Sequence, residues 1–252
     1  MKFSKDKFQS LSKERQIRKY LQFIDLIEQN WSDEDKRNNL LIEFTKCLQF
    51  AKDIELRSLK IANNSLRDFI RSIIQFERKY GKEKRDYDLI IHSHDGRRKR
   101  IAKPIYLVLD ELRSSFNIGS IFRTAECFGI EEIILIGYTA GADNAKVMKT
   151  SMGTAQMVPS RRFDNLQLAK DYLKKKNVTL YAMETVEGAQ KIEVTKLIFP
   201  AAFILGNEAL GIPKDDLKLV DEILEISLSG WKNSLNVGVT AAICCYEANK
   251  QL

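Results

Sequence analysis

The sequence predicts an α/β domain built on a mostly parallel sheet, preceded by a small all-α domain. From Pro104 onward, short apolar runs alternate with amphipathic stretches, the pattern of strands joined through helices into a sheet covered on both faces. Between Phe8 and Lys79 there is no proline, and apolar residues recur at helical spacing. Charge separates the two parts: residues 1–100 hold 24 Lys and Arg against 16 Asp and Glu, whereas the rest hold 17 against 18. The formal net charge of +7 therefore belongs to the first part, which suggests a polyanion-binding appendage on a near-neutral domain.

Three segments follow: a basic helical domain over 1–80, a charged linker over 81–103 and an α/β domain over 104–252. In the first, Ile17, Tyr20, Leu21, Ile24 and Ile27 form one apolar helix face, broken at Asn30-Trp31. Ser32, with Asp35 three residues on, predicts the next helix start. Leu40, Leu41, Phe44, Cys47 and Leu48 make a second face; Leu59, Leu66, Phe69, Ile70, Ile73 and Ile74 make a third, interrupted at Asn63-Asn64. The linker carries Lys82-Glu83-Lys84-Arg85, then His92-Ser93-His94, then Arg97-Arg98-Lys99-Arg100. Two His without further ligands nearby predict a solvated loop rather than a metal site. The basic tetrad reads either as a phosphate contact or as plain solvated chain.

In the α/β domain, strands are expected over 105–109, 132–136, 156–159, 179–183, 201–205 and 223–226. Helices are expected over 117–128, 143–151 and 166–175, with a short one after Pro213. The apolar run 223–228 halts at Ser229-Gly230 and Trp231-Lys232-Asn233. Ser234-Leu235-Asn236-Val237 then opens a helix that is apolar almost to its end, so its own chain or a second copy is expected to wrap it.

At 252 residues and 44% apolar content the chain can bury ample core. It has no apolar run of about eighteen residues, so no membrane span is expected. Its charged start lacks an apolar signal core, so neither is export. Cys47, Cys127, Cys244 and Cys245 show no paired metal spacing; Cys244 and Cys245 read as small buried residues, and reducing cytosol is the expected compartment.

Three polar clusters each follow a strand, where open α/β sheets build their sites. The first runs from Asp110 to Ile130 and includes Asn117, Gly119 and Arg123. The second is Leu205-Gly206-Asn207-Glu208-Ala209-Leu210-Gly211-Ile212-Pro213. The third is Ser234-Leu235-Asn236. Singly they are ambiguous: Gly206 and Gly211 suit any tight turn, Arg123 could pair with Glu126, and Asn236 could simply start a helix. No Gly-Lys-Ser/Thr follows the second cluster and no Gly-x-Gly-x-x-Gly follows the first strand, which disfavours P-loop and ordinary dinucleotide readings.

Together and in this order, the clusters resemble the SpoU (TrmH) class of SPOUT RNA methyltransferases, over residues 105–252. The resemblance rests on Asn117-x-Gly119-x3-Arg123-Thr124-Ala125, Leu205-Gly206-x-Glu208-x2-Gly211-Ile212 and Ser234-Leu235-Asn236-Val237, with Lys149-Thr150-Ser151-Met152-Gly153 also fitting the class. It implies an S-adenosyl-L-methionine-dependent 2′-O-methyltransferase acting on tRNA or rRNA, a homodimer without metal. The implied fold is a Rossmann-like sheet whose C-terminus is threaded into a trefoil knot. By position, the resemblance assigns Gly206, Ile226 and Leu235 to the cofactor, largely through backbone, with Leu205, Gly211 and Met183 in the same pocket. It assigns Asn117, Arg123, Glu208, Ser234 and Asn236 to the reaction site, Arg123 being the principal catalytic residue.

Methyl transfer from a sulfonium needs an in-line nucleophile and little else, so positioning supplies much of the rate. Guanidinium stays protonated in proteins, which favours Arg123 as a clamp on RNA phosphate and a stabiliser of alkoxide charge over a base. One departure stands out: the class usually has Pro-Met after the last strand's Ile, where this chain has Ser227-Leu228. The helical N-terminal region also differs from the small α/β RNA-binding domain of many members. A base methyltransferase on the same knotted fold and a non-catalytic RNA-binding protein are the rival readings.

Overall fold

A computed structural model of the chain describes residues 3–57, 59–80 and 100–252. The chain divides into two compact units, Met1–Ser93 and His94–Leu252.

The first unit is helical: α1 Lys5–Gln9, α2 Lys13–Gln29, α3 Glu34–Phe50, α4 Ile54–Arg57 and α5 Leu66–Lys79. Its core gathers the expected faces around Tyr20, Ile24, Phe44, Phe69 and Ile73, all fully buried. The Tyr20 hydroxyl donates to the Cys47 carbonyl at 2.9 Å, which satisfies the one polar atom that this ring carries inside. Two expectations need correction. Asp33 rather than Ser32 caps α3, its carboxylate accepting the Lys36 N–H at 3.1 Å. Leu59 precedes the third helix rather than belonging to it. The Ser65 oxygen accepts the Asp68 N–H at 3.1 Å while its hydroxyl donates to the Asp68 carboxylate at 2.8 Å, and this starts α5 at Leu66. The linker features at 81–99, with both His and three of the basic tetrad, lie outside the described residues. Arg100 is described, and its guanidinium donates to the Ile130 carbonyl.

The second unit carries seven strands, β1 Lys103–Asp110, β2 Ile130–Ile136, β3 Ser160–Phe163, β4 Thr179–Met183, β5 Gln190–Lys191, β6 Ala201–Leu205 and β7 Glu222–Glu225. They form one sheet in the order β3-β2-β1-β6-β4-β7-β5, and every pairing is parallel. The helices are α6 Ser115–Phe128, α7 Ala145–Thr150, α8 Leu166–Lys174, α9 Lys214–Leu217 and α10 Val237–Lys250. On one face of β1, Ile105, Leu107 and Leu109 pack with Ile118, Ile121 and Phe122 of α6 and with Ala241, Cys244 and Cys245 of α10. On the other, Tyr106 and Val108 pack with Leu166, Ala169 and Leu173 of α8. Burial on both faces explains why the central strands read as unbroken apolar runs.

The short strand expected at 156–159 is displaced. Thr154–Gln156 form a 3-10 turn and β3 begins at Ser160. Ser160, Arg161 and Arg162 are exposed because β3 is an edge pairing only β2, so no apolar alternation marks it. The two-residue β5 is exposed at the opposite edge and was likewise not foreseen.

Among the described residues, the terminal helix α10 is wrapped on one side. Gly238, Ala241, Cys244, Cys245 and Ala248 are buried, and α10 packs chiefly on α6, which these small side chains let come close. Val239 and Tyr246 remain 48% and 55% exposed. Burial pushes both thiols up, Cys245 to about 12, so neither supplies a thiolate.

Candidate active site

The strand ends Met183 of β4, Leu205 of β6 and Leu224 of β7 open into a cleft of about 500 Å³, in the range typical of small-molecule sites. The segment 206–211, Ile226, Leu228, the chain from Asn233 to Val237, and Asn117 in the first turn of α6 contribute to its wall. Ten of the eleven residues singled out from sequence line this cleft: Asn117, Met183, Leu205, Gly206, Glu208, Gly211, Ile226, Ser234, Leu235 and Asn236.

A hydrogen-bonded relay joins the three sequence clusters. The Glu208 carboxylate accepts the Arg113 N–H at 3.0 Å, the Ser114 N–H at 3.1 Å and the Asn117 side-chain amide at 3.0 Å. Asn117 Oδ1 accepts the Asn236 side-chain amide at 3.0 Å, and Asn236 Oδ1 caps α10 by accepting the Gly238 N–H at 2.9 Å. Burial raises the Glu208 carboxyl, yet the bonds from Arg113 N–H, the Asn117 amide and Ser114 N–H outweigh burial and hold it below the usual carboxylate range. An ionised carboxylate with three donors upon it is a fixed acceptor, and it aligns the loop after β1 with the loop after β6.

The loop after β6 is tight because its backbone folds on itself. A Cβ on Gly206 would lie 2.6 Å from the Gly211 carbonyl carbon and 2.7 Å from Ile212 N, so only glycine allows that approach. Asn207, buried and not among the residues singled out from sequence, ties the loop from inside. Its amide donates to the Glu111 carbonyl at 2.7 Å and the Tyr138 hydroxyl at 2.9 Å, while its oxygen accepts the Ala209 and Leu210 N–H groups. Glu184, just beyond β4, accepts the Ile212 N–H at 2.8 Å and lines the same cleft. Neither is among the residues that the sequence singles out: Asn207 lies between Gly206 and Glu208 of the second cluster, and Glu184 follows a predicted strand end, the positional signal shared by the other clusters.

Arg123 is not among the residues lining the cleft. It lies on the exposed side of α6, its guanidinium 3.1 Å from Met152 Sδ. The Lys149–Gly153 stretch packs on the same helix: a Cβ on Gly119 would fall 1.9 Å from Thr150 Oγ1, and that hydroxyl donates to the Ser115 carbonyl at 2.9 Å. Gly119 thus serves to bring α6 against α7. Among the described residues no group of three or more His, Cys, Asp or Glu is placed to hold a metal ion, and no helix is long and apolar enough to cross a membrane.

The model of the SpoU rRNA Methylase family matches residues 104–246, within the second unit. The chain is 32% identical over 154 residues to the 23S rRNA (guanosine-2′-O-)-methyltransferase RlmB of Coxiella burnetii, 61% of each protein. It is 30% identical to the enzyme of the same name from Vibrio parahaemolyticus over 166 residues, 66% of this chain and 64% of that one. The match thus spans less than two thirds of either relative. Among solved structures, the SpoU methyltransferase AviRb from Streptomyces viridochromogenes aligns with a TM-score of 0.54 at 25% identity, covering 58% of this chain and 59% of its own. The AdoMet-bound rRNA methyltransferase from Sinorhizobium meliloti aligns with a TM-score of 0.54 at 25% identity, covering 61% and 58%.

Proposed function

This chain belongs to the SpoU rRNA Methylase family, and from that premise we propose that it is an S-adenosylmethionine-dependent methyltransferase acting on a ribose 2′-hydroxyl of tRNA or rRNA. The observation that carries the reading is the relay Glu208–Asn117–Asn236, which brings three distant motifs together at one cleft. The cleft suits the donor chemically. Met183, Leu205, Leu224, Ile226, Leu228 and Leu235 offer an apolar wall for a purine, and the backbone around Gly206, Gly211, Ile226, Leu228 and 233–236 offers polar groups for its edges. When bound, S-adenosylmethionine supplies an electrophilic methyl group on a sulfonium.

The chain's own residues then have to hold the ribose in line and shield the site. In this reading Asn117, Ser234 and Asn236 orient the sugar from the mouth of the cleft, and Glu208 fixes Asn117 rather than taking the proton, since its oxygens already serve three donors. Arg123 clamps an RNA phosphate and stabilises the developing alkoxide from the exposed side of α6. The chain around 206–211 and 226–237 forms the trefoil knot of the class. A second copy covers the α6–α10 face, where Phe116, Val239 and Tyr246 stand 56%, 48% and 55% exposed. The basic N-terminal unit adds sequence-independent affinity for RNA, and the protein acts in the cytoplasm, as its bacterial rRNA-methylating relatives suggest.

Incubation of the full chain with methyl-labelled S-adenosylmethionine and total tRNA or rRNA, followed by nucleoside analysis, tests this directly. Label on a 2′-O-methylnucleoside is expected. Label on a base would instead mean a base methyltransferase, and tight RNA binding without label would mean a binding protein.

A further inference from the structure

The chain leaves β7 at Glu225 and crosses the cleft wall from Ile226 to Asn236 without belonging to a strand or helix. Among the described residues, the hydrogen bonds that reach the stretch 226–235 are both made at Ser227. The Glu193 carboxylate accepts both. β5 runs beside β7, fastened by the Ile192 N–H to the Glu225 carbonyl at 3.0 Å and by a Lys191–Glu225 ion pair at 2.7 Å. One residue further on, Glu193 Oε1 accepts the Ser227 backbone N–H at 2.9 Å, and the Ser227 hydroxyl lies 3.4 Å from Oε2. Ser227 does not line the cleft, but its neighbours Ile226 and Leu228 both do.

A wall of irregular chain can be stiffened at this point in two ways, by a proline or by a partner for its N–H. Proline has no N–H to satisfy and a fixed φ, so it stiffens such a wall without a partner. Serine leaves an N–H to be paired and a rotatable φ. A carboxylate accepting that N–H restores the constraint through a charge-assisted bond.

We propose that Glu193 is a positioning residue for the methyl-donor pocket: by holding the Ser227 N–H it fixes the course of 226–228, the constraint that a proline would supply without a partner. The proposal rests on reading the cleft as the S-adenosylmethionine site. Without Glu193 the wall samples more conformations, and ordering it weakens binding of the donor.

Isothermal titration of S-adenosylmethionine into the full chain tests it, using wild type, Glu193→Ala, Glu193→Gln, Ser227→Pro and the double variant Glu193→Ala/Ser227→Pro. Glu193→Ala is expected to weaken binding about tenfold, and Glu193→Gln, which keeps a neutral acceptor, by less. Ser227→Pro binds within about twofold of wild type, and in that background Glu193→Ala changes nothing, because the N–H it served is gone. In turnover assays Glu193→Ala raises KM for the donor and leaves kcat at saturating donor unchanged. Ser227→Ala supplies a second check that leaves the backbone N–H in place: it binds as wild type does, and Glu193→Ala costs the same tenfold there. Unchanged binding in Glu193→Ala, or an equal loss from Glu193→Ala with and without Ser227→Pro, overturns the proposal while the donor site stands. Failure of the wild type to bind S-adenosylmethionine overturns the reading of the cleft and the proposal with it.

Discussion

Asn117→Asp converts the donor at the centre of the relay into a second carboxylate. In the wild type, Asn117 Nδ2 lies 3.0 Å from Glu208 Oε1, and Asn117 itself is 7% exposed. The substitution deletes a hydrogen bond to an ionised acceptor, worth about 2 kcal/mol net. It also places like charges about 3 Å apart. Glu208 is solvent-exposed but position 117 is buried, so water screens the pair only in part and the repulsion is at least the roughly 1 kcal/mol it would be in bulk water. The expected destabilisation at pH 7 is therefore at least about 3 kcal/mol, or at least about 10 °C in the calorimetric transition of the second unit.

The pH dependence separates repulsion from mere bond loss. Wild-type Glu208 has a depressed pKa, so its contribution is present above the unfolded value and is lost only as pH falls through the lower folded value. Between pH 7 and 5 that contribution is flat. The carboxylate pair in Asn117→Asp has one raised pKa, because sharing a proton relieves the repulsion and restores a donor. Its penalty should therefore shrink as pH falls from 7 toward 5. Asp110 titrates in this window too, but it does so in both proteins and cancels from the difference. A gap below about 1 kcal/mol, or one equal at both pH values, would refute the assignment of the relay.

Gly119→Ala should destabilise the second unit by about 2 kcal/mol, because overpacking against Thr150 and Ser151 N exceeds the roughly 1 kcal/mol that alanine adds to helix propensity; a raised melting temperature would contradict the packing of α6 on α7. Gly206→Ala, whose Cβ would meet backbone atoms that cannot swing aside, should weaken S-adenosylmethionine binding at least about tenfold by titration, whereas wild-type affinity would show that the loop tolerates a side chain. Asp110 is buried, and desolvation, with Asp216 and Glu111 nearby, raises its pKa to about 6. Its stabilising contribution is full below pH 3.8 and is lost as pH rises through about 6, so Asp110→Asn should flatten that part of the stability profile; an unchanged slope would argue against a neutral Asp110 in the fold. Arg123→Ala should abolish methylation while cofactor binding and melting temperature hold, and unchanged turnover would remove Arg123 from the reaction.

Much of the fold was legible because its signals are local. β4 and β6 fall where their apolar runs predicted, and α6, α8 and β7 within a residue or two, since strands buried on both faces and helices with one buried stripe write their periods into the chain. Edge strands write no such period. Ser160-Arg161-Arg162-Phe163 is held in the sheet by one neighbour's hydrogen bonds while its first three residues are exposed, so the more apolar 156–159 carries the stronger strand signal. The cap of α3 was missed by one residue because Ser32 and Asp33 are both good caps, and only the bond to Lys36 N–H distinguishes them.

The sequence by itself determined a parallel α/β unit behind a helical one, and it supplied the three clusters from which the cleft is made. It could not join them. Asn117 lies 91 residues from Glu208 and 119 from Asn236, and no local propensity records a contact across such distances. Tertiary structure also decided that Arg123 stands outside the cleft lining, that Gly119 serves helix packing, and that Asn207 and Glu184 belong to the site. Periodicity is set by a residue's nearest turn or pleat, whereas a site is set by which strand ends the sheet order brings side by side. Here that order runs β1-β6-β4-β7, and it is the packing of whole elements that fixes it.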